Sequence, residues 1–144
     1  MTLSEEKRWN AVCDRLVNEG YGALAPAERN WVNLRSLIDA VQNGGAISYF
    51  FNPSADTFND CLSALNSVDA GEVRSQLDRV VVLFPDGISS DIGARNAVID
   101  SWPDEDGDSE IDQLLADVDS RLMPLMDDLE QRLASYLKRS GLAT

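Results

Sequence analysis

Histidine is absent from all 144 residues. The commonest general base and the commonest metal ligand are therefore missing, which removes most hydrolytic and proton-transfer chemistry from consideration. Cysteine is scarce as well. Cys13 and Cys61 each fall on the apolar stripe of a predicted helix, where a free thiol packs as a small hydrophobe, and no disulfide between them is expected. No segment approaches the roughly 18 apolar residues of a membrane span, and the N-terminus lacks a basic region followed by an apolar run. Neither a span nor a signal peptide is expected, and a cytoplasmic location follows. Bases are few: 12 Lys and Arg stand against 25 Asp and Glu, giving a formal charge of -13. Direct binding to nucleic acid or anionic lipid is disfavoured, because both would repel such a chain.

Other enzyme signatures fail on spacing. Gly44-Gly45 lacks the further glycine and the lysine of a phosphate-binding loop, and reads instead as a helix stop. Paired carboxylates such as Asp127 and Asp128 point to different sides of a helix, which gives acid–base chemistry no support. No catalytic residue, cofactor or metal ligand is expected.

What remains is ordinary globular material, 44% apolar and 26% charged, enough for one domain. Thr2 and Ser4 precede Glu5 and Glu6, and Trp9, Val12, Cys13, Leu16 and Val17 recur at helical spacing until Gly20. Pro26 opens a second helix, to about residue 42, whose stripe is Trp31, Leu34, Leu37, Ile38 and Val41; Asn43-Gly44-Gly45 ends it. Ile47, Phe50 and Phe51 predict a short third helix, broken at Asn52-Pro53. Ser54 is then a candidate N-cap for the stripe Phe58, Cys61, Leu62, Leu65 and Val68. Val73, Leu77, Val80, Val81 and Phe84 continue the pattern, so helix is favoured over a strand at Val80–Phe84. Ser89 or Ser90 caps the next helix, through Trp102, and Ser109 caps another carrying Ile111, Leu114, Leu115, Val118 and Leu122. Pro124 breaks the pattern before a last helix that ends at Gly141. The fold class is all-α: a single globular multi-helix bundle of about eight helices with short loops and no substantial sheet. The aromatic residues at helical spacing are expected in the core, while Tyr21 and Tyr136 are candidates for a dimer interface.

The charge is not evenly spread. Residues 100–130 hold twelve acids and one base, a local net charge of -11. Duplex DNA carries about one charge per 1.7 Å of axis, and side chains three or four apart on a helix are roughly 5–6 Å apart, so carboxylates on a helix flank approximate a row of phosphates. The expected contact surface is the loop residues Asp104, Glu105, Asp106 and Asp108 together with Glu110, Asp112, Asp117 and Asp119 on the flanks and outer face of the following helix. The loop is not an EF-hand, since with Gly107 in the glycine position the first ligand would be Trp102 and the bidentate one Gln113. Two alternatives stand beside a partner-binding surface: an immunity-type protein that neutralises a cognate toxin, and a helical domain whose acidity serves only solubility.

Asn43-Gly44-Gly45, Tyr49-Phe50, Asn52, Ala64-Leu65, the Phe84-Pro85-Asp86-Gly87 turn and the helix through Arg95 resemble the family of small acidic bacterial DNA-mimic proteins. Two positions depart from that pattern: Ala46 replaces an aromatic residue, and Ser67-Val68-Asp69 replaces a small apolar turn. The resemblance implies an all-α protein, a homodimer, that presents carboxylates in place of DNA phosphates to a basic DNA-binding protein such as a transcriptional regulator.

Overall fold

Several of the helices begin where a side chain meets the unpaired amides of the first turn. In the computed structural model, which describes residues 1–103 and 109–143, Thr2 caps α1 (Leu3–Glu19): its Oγ1 accepts from the Glu5 amide at 3.2 Å while the Glu5 carboxylate accepts from the Thr2 amide. This reciprocal box satisfies two donors at once. Gly20, at φ 90°, ends the helix in a conformation that side chains disfavour. A 3-10 turn, Tyr21–Ala23, leads into α2 (Pro26–Phe51).

α2 is one rod with a break. Gly44 (φ -160°, ψ 15°) and Gly45 (φ 79°, ψ -176°) leave helical geometry, so the expected stop at 43–45 and the short helix after it are both present as limbs of α2. A second 3-10 turn, Pro53–Thr57, follows, then α3 (Phe58–Ser67) and α4 (Gly71–Val81). Ser54 therefore does not start α3; the fixed φ of Pro53 begins a 3-10 turn that places Ser54 inside it. The Val80–Phe84 stretch is the end of α4 and a turn, not a strand.

α5 (Ile92–Asp100) is capped by Asp91, whose Oδ2 accepts from the Ala94 amide at 3.0 Å, rather than by Ser89 or Ser90. A carboxylate is the better partner for the positive end of a helix, and Ser89 Oγ instead accepts from the Asp91 amide. α5 stops at Asp100, two residues short of Trp102. Ser109 caps α6 (Glu110–Leu122) through the Asp112 amide. Pro124 separates α6 from α7 (Leu125–Arg139), whose last carbonyls are closed by Gly141 at φ 76° and by the Leu142 amide donating to Leu137 O at 2.8 Å.

The described residues thus form seven α-helices and no strand, an all-α single-domain bundle. α2 lies at its centre, with Leu34, Leu37, Ile38 and Val41 sealed from solvent and α3, α5, α6 and α7 packed around it. Phe50 joins Tyr49, Phe58 and Phe84 in a ring cluster that reaches Trp102, and Trp31 packs on Trp9. Phe51, on the other hand, is 44% exposed. Tyr21 and Tyr136 are both engaged within the chain. The Tyr21 hydroxyl donates to Asp60 and accepts from Asn33, and the Tyr136 hydroxyl accepts from Asn30. Both cysteines are free thiols, Cys61 fully buried. No helix of the described residues is long and apolar enough to cross a membrane.

Candidate anionic interface

Asp104, Glu105, Asp106 and Asp108 lie outside the described residues, so the acidic interface is traced from α6 outward. α6 packs against α2 on one side and α4 on the other. Its solvent face is therefore narrow, made of Glu110, Gln113, Ala116 and Ser120 at spacings of three and four. Glu110 is exposed and Asp112 half-buried. Both sit in the first turn, where negative charge also offsets the helix dipole.

The other two carboxylates on α6 do not form an outward row. Asp117 faces α4, accepting from Arg79 Nη1 at 2.8 Å and from Arg121 Nε at 3.0 Å. These two guanidiniums hold its carboxyl below the usual carboxylate range. Asp119 faces the break in α2: its Oδ1 accepts the Ala46 amide at 2.8 Å, and a Cβ on Gly45 would fall 2.8 Å from its carboxyl carbon. Asp119 is thus the N-cap of the second limb of α2, supplied by another helix. A side chain at residue 45 would displace it.

The same limb is held at its other end by Arg95 of α5, which is completely buried. Its guanidinium donates to Phe50 O at 2.9 Å, to Asn52 O, Ser89 O and Asp56 Oδ1 at 2.8 Å each. A carboxylate at the N-terminal end and a guanidinium at the C-terminal end match the dipole of a helix only six residues long. Gly44-Gly45, Phe50, Asn52 and Arg95, which are among the residues that carry the family resemblance, are parts of this clamp.

Positive charge is largely drawn into such ties. Arg8 reaches Gly141 O, Arg15 pairs with the buried Glu28, Arg29 holds Tyr21 O and Gly22 O, Arg35 bridges Asp39 and Glu130, and Arg132 holds Asp128 and the Val68 and Asp69 carbonyls. Arg15 in turn lowers the pKa of Glu28. Acids of the first turns, Glu5 and Glu6 of α1, Glu72 of α4 and Asp127 and Asp128 of α7, remain at the surface. Glu5 of α1 lines one groove with Asp127 and Glu130 of α7.

Among the described residues no group of three or more Cys, Asp or Glu side chains is arranged to hold a metal ion. Comparison with curated proteins and with solved structures finds no match to this chain. A family model described as DMP19-like protein does match, over residues 22–140, which runs from the 3-10 turn after α1 through the end of α7. With most of its length so matched, the chain belongs to the DMP19-like family of DNA-mimic proteins.

Proposed function

We propose that this protein is a non-catalytic DNA mimic that occupies the nucleic-acid-binding surface of a basic partner, a DNA-binding protein such as a transcriptional regulator. The observation that carries the reading is the net charge of -11 over residues 100–130, on a scaffold whose arginines mostly serve as internal ties. A cationic groove that meets this surface exchanges its bound counter-anions for fixed carboxylates, so association is fast and weakens with salt. The contact surface comprises Asp104, Glu105, Asp106 and Asp108 together with Glu110 and Asp112 of α6. Asp117 and Asp119 support it from within, by fixing α6 against α4 and α2.

The test is affinity capture from native lysate with the wild-type chain and with Asp104, Glu105, Asp106 and Asp108 changed together to Asn or Gln. The wild type retains a partner near 0.1 M salt, where the screening length is about 10 Å, and releases it near 1 M, where it is about 3 Å. Added duplex DNA elutes the same partner, and the fourfold variant, folded by circular dichroism, captures none. Retention of the partner by that variant, or indifference to duplex DNA, refutes the proposal.

A further inference from the structure

α1 is long but shallow. Of its 17 residues only Val12 is fully buried, while Trp9, Cys13 and Leu16 are part-buried. It packs chiefly on the 3-10 turn that follows it in the chain, and only lightly on the other helices. Two charged side chains tie it to the rest of the described residues: Arg8 Nη1 donates to Gly141 O at 2.6 Å, and Arg15 Nη1 donates to Glu28 Oε1 at 2.9 Å. Trp9 packs against Trp31, with ring centroids 5.1 Å apart, and Trp31 is left 1% exposed.

The remainder closes on itself without α1. The start of α2 has its own cap, since Glu28 Oε1 accepts from the Ala25 amide at 2.8 Å. α2 is tied to α7 by Asn30 Nδ2 donating to the Tyr136 hydroxyl at 2.8 Å and by the Arg35–Glu130 pair. The matched family region, 22–140, likewise begins after α1. A pivot lies between the two parts: Gly20 sits at φ 90°, and nothing crowds the side-chain position of Gly20 or Gly22 within 4 Å. An element with little buried surface and few ties opens at a lower free energy than the core beside it. We infer that α1 is a hinged cover, which leaves the folded α2–α7 body as one unit by turning about residues 20–22 and so uncovers the Trp31 ring. A ligand for that ring meets it only in the open fraction, and its apparent affinity is reduced by that fraction. The inference goes beyond the mimicry reading and takes nothing from it.

Native-state hydrogen exchange of the full chain, followed by NMR across sub-denaturing urea, tests this. Corrected for intrinsic rates, amides at residues 12–16 are expected to exchange about a hundredfold faster than those at residues 34–41, with one shared urea slope that is smaller than the slope at 34–41. The Trp31 indole proton shares the slope of residues 12–16. Asp119→Ala removes a cap within the body, so it speeds exchange at residues 34–41 about fivefold and leaves residues 12–16 and the indole unchanged. Rates graded along α1 with no urea slope would mean that the helix merely frays. One slope and one response to Asp119→Ala across both helices would mean that α1 leaves only when the whole chain unfolds. An indole proton that departs from the slope of residues 12–16 would mean that α1 does not control Trp31. Each of these results overturns the inference.

Discussion

If Asp119 caps the second limb of α2 across the Gly45 backbone, substitutions at the two positions are coupled. Asp119→Ala removes the acceptor of the Ala46 amide, and loss of an N-cap costs about 0.5–2 kcal/mol. Gly45→Ala acts twice. Its φ of 79° with ψ of -176° lies in a region essentially restricted to glycine, at a cost of about 1–3 kcal/mol. The new Cβ also drives the Asp119 carboxylate off the Ala46 amide, so the cap is lost as well. Once Asp119 is already alanine, Gly45→Ala incurs only the backbone part. The double variant is therefore less destabilised than the sum of the singles by about the value of the cap, 0.5–2 kcal/mol. Urea unfolding followed by far-ultraviolet circular dichroism resolves this, since a slope of about 1–3 kcal/mol/M turns each kcal/mol into a midpoint shift of a few tenths of a molar or more. Strict additivity, within the roughly 0.3–0.5 kcal/mol seen for independent sites, would show that the carboxylate is not seated against Gly45.

The opposite end of that limb gives a larger effect. Arg95→Met leaves the Phe50, Asn52 and Ser89 carbonyls without their donor and is expected to cost about 3–5 kcal/mol, whereas Asp56→Asn, whose carboxylate is 43% exposed, costs under about 1 kcal/mol; equal midpoint shifts in urea would contradict the clamp. Burial raises the Cys61 thiol to about 12 and also raises that of the half-buried Cys13, so a thiol reagent at pH 8 should modify Cys13 first and Cys61 only as fast as the protein unfolds. Glu28 and Asp117 have folded pKa values below their unfolded ones, held there by Arg15 and by Arg79 with Arg121. Their contribution is present above the unfolded carboxylate pKa and is lost as pH falls through the folded value. A carboxyl-carbon titration by NMR should find both below the ordinary range, and the Glu28→Gln variant should lose less stability than wild type between neutral pH and pH 3.

The helices were legible wherever a cap or a breaker stood beside an apolar stripe. Thr2 with Glu5, Pro26, Gly44-Gly45, Ser109, Pro124 and Gly141 each mark a boundary that the structure keeps. Where two polar residues competed for one amide, sequence alone chose wrongly: Asp91 takes the cap from Ser89 and Ser90 because it brings charge to the helix end, and Pro53 takes Ser54 into a turn. The acidic surface was less legible. Spacing placed Asp117 and Asp119 outside the apolar stripe of α6, which they are, but a helix flank is outward only if nothing packs beside it. α4 and α2 pack there, and each brings a donor, Arg79 or the Ala46 amide. Those partners are 38 and 73 residues away in sequence, beyond any periodicity argument.

This division of labour bears on how family membership should be used. Several residues that carry the resemblance break α2 at Gly44-Gly45, hold the end of its second limb through Arg95 of α5, or fill the ring cluster around Phe50. Gly45, Tyr49, Phe50, Phe84 and Arg95 among them are buried, so they fix the scaffold without touching a partner. The carboxylates that would meet a basic protein are those of residues 104, 105, 106 and 108 and those at helix starts. Such positions change charge without disturbing packing, at a cost usually within about 0.5 kcal/mol. Two chains sharing the clamp can therefore differ freely in the anionic pattern they display, and with it in partner. A substitution at Gly45 or Arg95 that abolishes partner capture reports on folding, whereas one at Asp104, Glu105, Asp106 or Asp108 that does so with unfolding midpoints unchanged reports on recognition.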